Sequence, residues 1–318
     1  MNKQKSLIAI IIIALISIST YFICSKFDNK NTTEDVIKIA FVVPTLENPF
    51  FVDMVEAAKA KAKELGNVEI IVKATTKVED ALGQNQIVED LVIQKVDGIC
   101  IVPINSKSIL PAILKANKAN IPVINIDNKI DMLDADLAGA KIVSYIGSDN
   151  FDGGKLAGQF MIEKLAGKGK VAILEGVSGN DAAIKRKSGF LDELKSSPDI
   201  HVVSSQVANW NREQAFNIFQ NILKANPDLN GIFAANDEMA LGAFSALNQS
   251  KIPKSKIIIV GFDAVKEAVD AINKGDIDAT IAQQPALMGR QGVQLILDAI
   301  NKKPLEKSYS TELKLIKK

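Results

Sequence analysis

The chain is poor in the side chains that carry most enzyme chemistry: its 318 residues include one histidine, two cysteines and one tryptophan, and aromatics make up 5%. His201 stands alone in the strand-like run HVVSSQV and reads as a surface strand residue. No G-x-S-x-G elbow and no phosphate loop are present, since GKGK at 167–170 lacks the glycine spacing. Clustered metal ligands are missing as well. These absences argue against nucleophile, nucleotide and metal chemistry, so neither an enzyme nor a cofactor is expected. Charge of one sign is also lacking: 38 Lys and Arg nearly cancel 37 Asp and Glu, and the lysines are scattered, so no basic field favours nucleic acid. Cys100 lies in the apolar run GICIVP and reads as a buried thiol, so no internal disulfide with Cys24 is expected.

What is present at the N-terminus is an export segment. The basic flank MNKQK precedes SLIAIIIIALISISTYFIC, which carries no charge from Ser6 to Cys24. Cys24 occupies the place of a lipoprotein's acylated cysteine, and a hydrophilic tether follows it through residue 36. The preceding Tyr21, Phe22 and Ile23 are not the small residue that a lipoprotein cleavage box usually has there. Three outcomes stay open: lipidation at Cys24, cleavage after a small residue such as Ser19, or retention of residues 1–24 as a membrane anchor. Each places the body outside the cytoplasmic membrane.

From residue 37 onward, short β-branched runs alternate with amphipathic stretches. IKIAFVV, VEIIVKA, GICIVP and PVINID are separated by helices predicted over 49–65, 79–95 and 106–119. After SYIGSDN, helices are predicted over 151–166, 181–196, 211–225, 238–249, 264–273 and 286–302, with a short C-terminal strand in STELKLI. Continuous apolar runs suit parallel strands covered by helices on both faces. Two doubly wound α/β domains are expected, one from 37–148 plus 284–312 and one from 149–283 plus 313–318. A connection made of several strands would restrict their motion to opening and closing.

Ligands of open parallel sheets bind outside the carboxyl ends of the strands. Those ends carry Asn48, Asp127, Asn128, Asn236, Asp237, Asp263 and Gln283, short acceptors and amides suited to a neutral polyol. Capping competes with ligand contact at Asn48, Asp237 and Asp263. One cap suffices where Asn236 and Asp237 are adjacent, which leaves Asn236 free. Trp210, in VANWNRE between a strand and a helix, is not expected in a core; its other reading is a rim contact over the helix start. TLENPFF at 45–51 sets Phe50 beside Phe51, and neither strand nor helix geometry sends neighbours into one core, so one of them is expected to need another partner. With Trp210 they would make two apolar walls. Arg186 would be a charged fork from the second domain, although composition alone favours a solvated helix position.

TLENPFF, VINIDNKID, YIGSDN, AANDEMALGA, IIIVGFD and ATIAQQP, in this order, closely resemble the sugar-binding proteins of bacterial ABC importers, the ribose-binding and D-allose-binding group, from about Ile37 to Lys318. The resemblance implies the type I periplasmic binding protein fold, two Rossmann-like domains on a three-stranded hinge, closing on one monosaccharide. It also implies a monomer that delivers the sugar to a membrane permease; presentation to a chemotaxis receptor or sensor kinase is the alternative. Carried over by motif, the first-domain contacts are Asn48, Phe50, Phe51 and Asp127, and the second-domain contacts are Arg186, Trp210, Asn236 and Asp263, with Gln283 at the hinge. Pro44 stands where ribose-type proteins have serine and allose-type proteins have lysine, and Asn128 stands where the ribose type has arginine. Trp210 matches the allose type. A regulator of the lactose-repressor type shares the core but begins with a DNA-binding headpiece, which the export segment replaces here.

Overall fold

The computed structural model describes residues 36–318, in which the alternation becomes two six-stranded sheets. The first lobe is built from β1 (Ile37–Val43), α1 (Pro49–Leu65), β2 (Val68–Ala74), α2 (Ala81–Ile93), β3 (Gly98–Ile101), α3 (Leu110–Lys118), β4 (Val123–Ile126), α4 (Met132–Ala138) and β5 (Ser144–Ser148). The second follows with α5 (Asn150–Leu165), β6 (Lys168–Glu175), α6 (Asp181–Leu194), β7 (Asp199–Val207), α7 (Arg212–Ala225) and β8 (Gly231–Ala234). It continues through α8 (Asp237–Asn248), β9 (Ile258–Asp263), α9 (Lys266–Lys274) and β10 (Ala279–Ala282). The chain then returns to the first lobe with α10 (Pro285–Ile300) and β11 (Ser308–Thr311), and ends in the second with β12 (Lys314–Lys317).

Strand order is β11-β5-β4-β3-β1-β2 in one sheet and β12-β10-β9-β8-β6-β7 in the other. All pairs are parallel except β10 with β12. The order reverses at β1 and at β6, which opens a crevice beyond the carboxyl ends of β1 and β3 and another beyond β6 and β8. The side-chain alternation of the inner strands fills both faces: Ile39, Phe41 and Val43 enter one apolar cluster, while Ala40 and Val42 enter the other. Val171 and Ile173 against Ala172 and Leu174 repeat this division in the second lobe.

Three expectations need correction. STELKLI is not one strand: β11 pairs with β5, and β12 pairs antiparallel with β10, so the last residues are shared between the sheets. The helix expected from 106 begins at Leu110, because the Asn105 side chain accepts from Lys107 and Ser108 N–H at 2.9 and 3.0 Å and holds the segment in a turn. The run before YIGSDN, in which no helix is predicted, contains α4, capped by Asp131 and ended by the left-handed Gly139. Cys100 is buried as expected, its thiol pushed well up by burial. Cys24 and the export segment lie outside the described residues.

Candidate functional site

The two crevices face each other around one shared cavity, lined from both lobes. On the first wall, Asn48 ends the loop after β1 and caps α1, its Oδ1 accepting from Phe50 N–H at 2.9 Å, with Pro49 supplying the fixed φ of the first helical position. Helical side chains lean toward the N-terminus, so the rings of Phe50 and Phe51 both gather at the mouth of α1. They meet edge to face, centroids 5.3 Å apart and planes at 78°. Contrary to the expectation that one must leave the core, both are buried, both belong to the cluster around Met54, and both border the cavity. The physical reason is position: at a helix end, the last core layer and the cavity floor are the same surface.

Asp127 follows β4 in left-handed backbone geometry, φ 61°, held by its own N–H to Ile146 O and by Tyr145 Oη donating to its carbonyl. Its carboxyl oxygen Oδ1 is buried with no hydrogen-bond partner in the protein. The neighbouring Asn128 also lines the cavity, but its amide serves the protein: Nδ2 donates to Pro103 O at 2.7 Å and Oδ1 accepts from Ala182 N–H at 3.2 Å.

On the second wall Arg186 is 4% exposed, so the solvated position favoured by composition does not hold. Its Nε donates to Asn150 Oδ1 at 2.8 Å and its Nη1 to Ala235 O at 2.7 Å, with Asp263 Oδ1 farther off at 3.4 Å. The guanidinium lies 3.7 Å from the Phe262 ring centroid and 5.5 Å from that of Trp210. Trp210 is half-buried, packed against the second-lobe core, and reaches the cavity over Gly176, where any Cβ would lie 2.0 Å from the indole. Asn236, not Asp237, caps α8 by accepting from Met239 N–H at 2.9 Å. The adjacent acid ties two other elements together, since buried Asp237 accepts from Val265 N–H and Thr280 Oγ1. Gln283 does not line the main cavity; its Nε2 holds Asp263 at 2.8 Å, its Oε1 is buried without a partner, and it borders a separate notch beside Asp53 and Pro285. Asp127, Trp210 and Asp263 all have positive φ, a cost of order 1–3 kcal/mol each that clusters at functional sites.

Burial pushes the Asp127 carboxyl up to about 6 and that of Asp263 to about 7; Arg186 opposes both shifts, and Gln283 opposes the second. Asp237 is raised further, by burial and then by the charge of Asp263. Native Asp127 and Asp263 therefore hold protons that the unfolded chain releases near pH 4, and this contribution to stability is lost as pH rises through 6 to 7. Urea denaturation should show stability falling from pH 5 to pH 8, with a smaller slope in Asp263→Asn. An equal slope in both proteins would refute the assignment.

A family model described as the periplasmic binding protein domain matches residues 39–304. The chain belongs to the periplasmic binding protein family. It is 37% identical over 277 residues to the ribose import binding protein of Bacillus subtilis, covering 87% of this chain and 86% of that protein. It is 36% identical over 262 residues to the D-allose-binding periplasmic protein of Escherichia coli, covering 82% and 83%. An ABC transporter periplasmic solute binding protein from Actinobacillus succinogenes, solved with bound D-allose, superposes with a TM-score of 0.83 at 38% identity over 88% of this chain and 97% of that one. This periplasmic binding protein is a binding protein and not an enzyme, and it has the type I fold. Sequence reasoning missed Asn150, which orients Arg186, although YIGSDN contains it. It also missed Ser106 and Asn180, whose only signal is turn chemistry next to a helix start.

Proposed function

We propose that the cavity holds one monosaccharide, that the sugar stabilises the closed pair of lobes, and that the loaded protein delivers it to an ABC transporter permease. The observation that carries this reading is the buried acceptor of Asp127, set beside Arg186 and Asp263 and flanked by Phe50, Phe51 and Trp210. A sugar offers hydroxyl donors to such carboxylates and an apolar C–H face to such rings. Asn48 and Asn236, whose side-chain oxygens are committed to caps, would offer their amide N–H groups. Asn128 would border the sugar, and Gln283 would act behind Asp263. Two relatives are named for ribose and D-allose, which supports a pentose or hexose. The lobes would comprise 37–148 plus 284–312 and 149–283 plus 313–318. The body would stand outside the cytoplasmic membrane, held by a lipid on Cys24 or by residues 1–24.

Hydrogen bonds to charged groups contribute roughly 1.5–3 kcal/mol each, so a few of them with stacking reach micromolar affinity, about −8 kcal/mol, after ordering costs. Calorimetric titration with ribose, allose, psicose, xylose, galactose and glucose tests the reading; no heat from any of them removes it. Phe51→Ala should weaken the sugar that binds at least tenfold while changing the ligand-free melting temperature less. A large melting loss with unchanged affinity would make Phe51 a core residue only.

A further inference from the structure

The two lobes touch through polar contacts on one side of the cleft, and these converge on the start of α6. The first N–H groups of a helix have no intrahelical acceptor. In α6, Ala183 N–H is capped within its own lobe by Asn180 Oδ1 at 3.1 Å. The two before it are capped by the opposite lobe: Asp181 N–H donates to Ser106 Oγ at 3.0 Å, and Ala182 N–H to Asn128 Oδ1 at 3.2 Å. The preceding loop adds Asn180 Nδ2 to Ile104 O and Ser106 N–H to Gly179 O, both at 3.1 Å. Among the described residues, Pro44, Asn48, Phe50, Phe51 and Val78 on the first wall make no hydrogen bond to the second lobe, whose Val265 and Ala268 instead join the apolar cluster of Phe50 and Phe51.

Asn128 is built for this contact. It is 2% exposed, its Nδ2 is tied to Pro103 O, and its own carbonyl accepts from Asn125 Nδ2 at 2.8 Å. Its acceptor is thereby fixed in direction, at a place where the partial positive charge of the α6 N-terminus favours an oxygen.

We propose that Asn128 and Ser106 form a latch that sets how far the lobes favour closure, so that Asn128 governs affinity for every sugar alike and not the choice among sugars. This rests on the sugar reading for its binding arm only. The apparent affinity of a ligand is its intrinsic affinity reduced by the fraction of protein in the competent state. A net hydrogen bond changes that equilibrium by roughly 2- to 12-fold. Asn128→Ala should therefore weaken D-ribose and D-allose by the same factor, about fivefold, and Ser106→Ala should do likewise. Ser106→Thr, which keeps the hydroxyl, should restore the parent affinity.

A second arm needs no sugar. Small-angle scattering of the ligand-free protein should show a larger radius of gyration in the Asn128→Ala/Ser106→Ala double variant than in the parent, with circular dichroism unchanged. Unequal losses for the two sugars would make Asn128 a direct sugar contact and overturn the proposal. Identical ligand-free scattering of parent and double variant would also overturn it. If the parent binds neither sugar, the binding arm falls away and the scattering arm alone decides the latch; the sugar reading itself fails only if the whole panel of six gives no heat.

Discussion

Arg186→Met should raise the Kd for the bound sugar at least about 100-fold and lower stability by about 3–5 kcal/mol, the usual cost of removing one partner of a buried ion pair. Methionine keeps the stem, and with it part of the contact to Phe262, but removes every donor. Asn150 Oδ1 and Ala235 O then lose their partner, and Asp263 is left with Gln283 alone. Since the guanidinium restrains the upward shift of both Asp127 and Asp263, its loss drives both further toward the protonated form. Asp263, already near its midpoint at pH 7, would become largely neutral there, and Asp127 partly so, which weakens two acceptors for sugar hydroxyls. Titration calorimetry and urea denaturation at pH 7 check both halves. Affinity within threefold of the parent would show that Arg186 only supports the fold.

The second large effect is steric. Helices α5 and α6 cross so closely that a Cβ on Gly154 would lie 2.1 Å from Arg186 O. That obstacle is backbone, so Gly154→Ala must push the helices apart, and overpacking of this kind costs about 1–3 kcal/mol or more. The separation has a direction that matters for binding: α5 carries Asn150, and α6 carries the guanidinium it orients. Gly154→Ala should therefore lower the urea midpoint and also weaken sugar at least tenfold. In contrast, Gly158→Ala one turn on meets side-chain carbon of Glu193 at 2.8 Å and should do less of both. A destabilised Gly154 variant with parent affinity would separate the crossing from the site.

The architecture was legible because parallel strands buried on both faces must be continuously apolar, and IKIAFVV and KVAILEG are. The candidate site was legible where a strand end left a polar residue with nothing local to bond, as at Asp127. It was misread where tertiary contact decides. Arg186 sits in a helix with lysines on either side, and only the packing of α5, β8 and Phe262 makes its face interior. The roles of Asn236 and Asp237 depend on Thr280 and Val265, which lie 28 to 43 positions away. STELKLI failed because a β-rich run carries no mark of which of two sheets it will join.

That shared C-terminal run gives the molecule a built-in optical readout. Val36 leads into an inner strand of one sheet, whereas Lys317 closes the edge of the other. A donor dye at residue 36 and an acceptor at residue 317 would ride on different bodies, and their energy transfer would follow the lobes directly. Neither dye would touch the cavity, so a single labelled protein could rank a whole panel of candidate ligands by the closure each one induces.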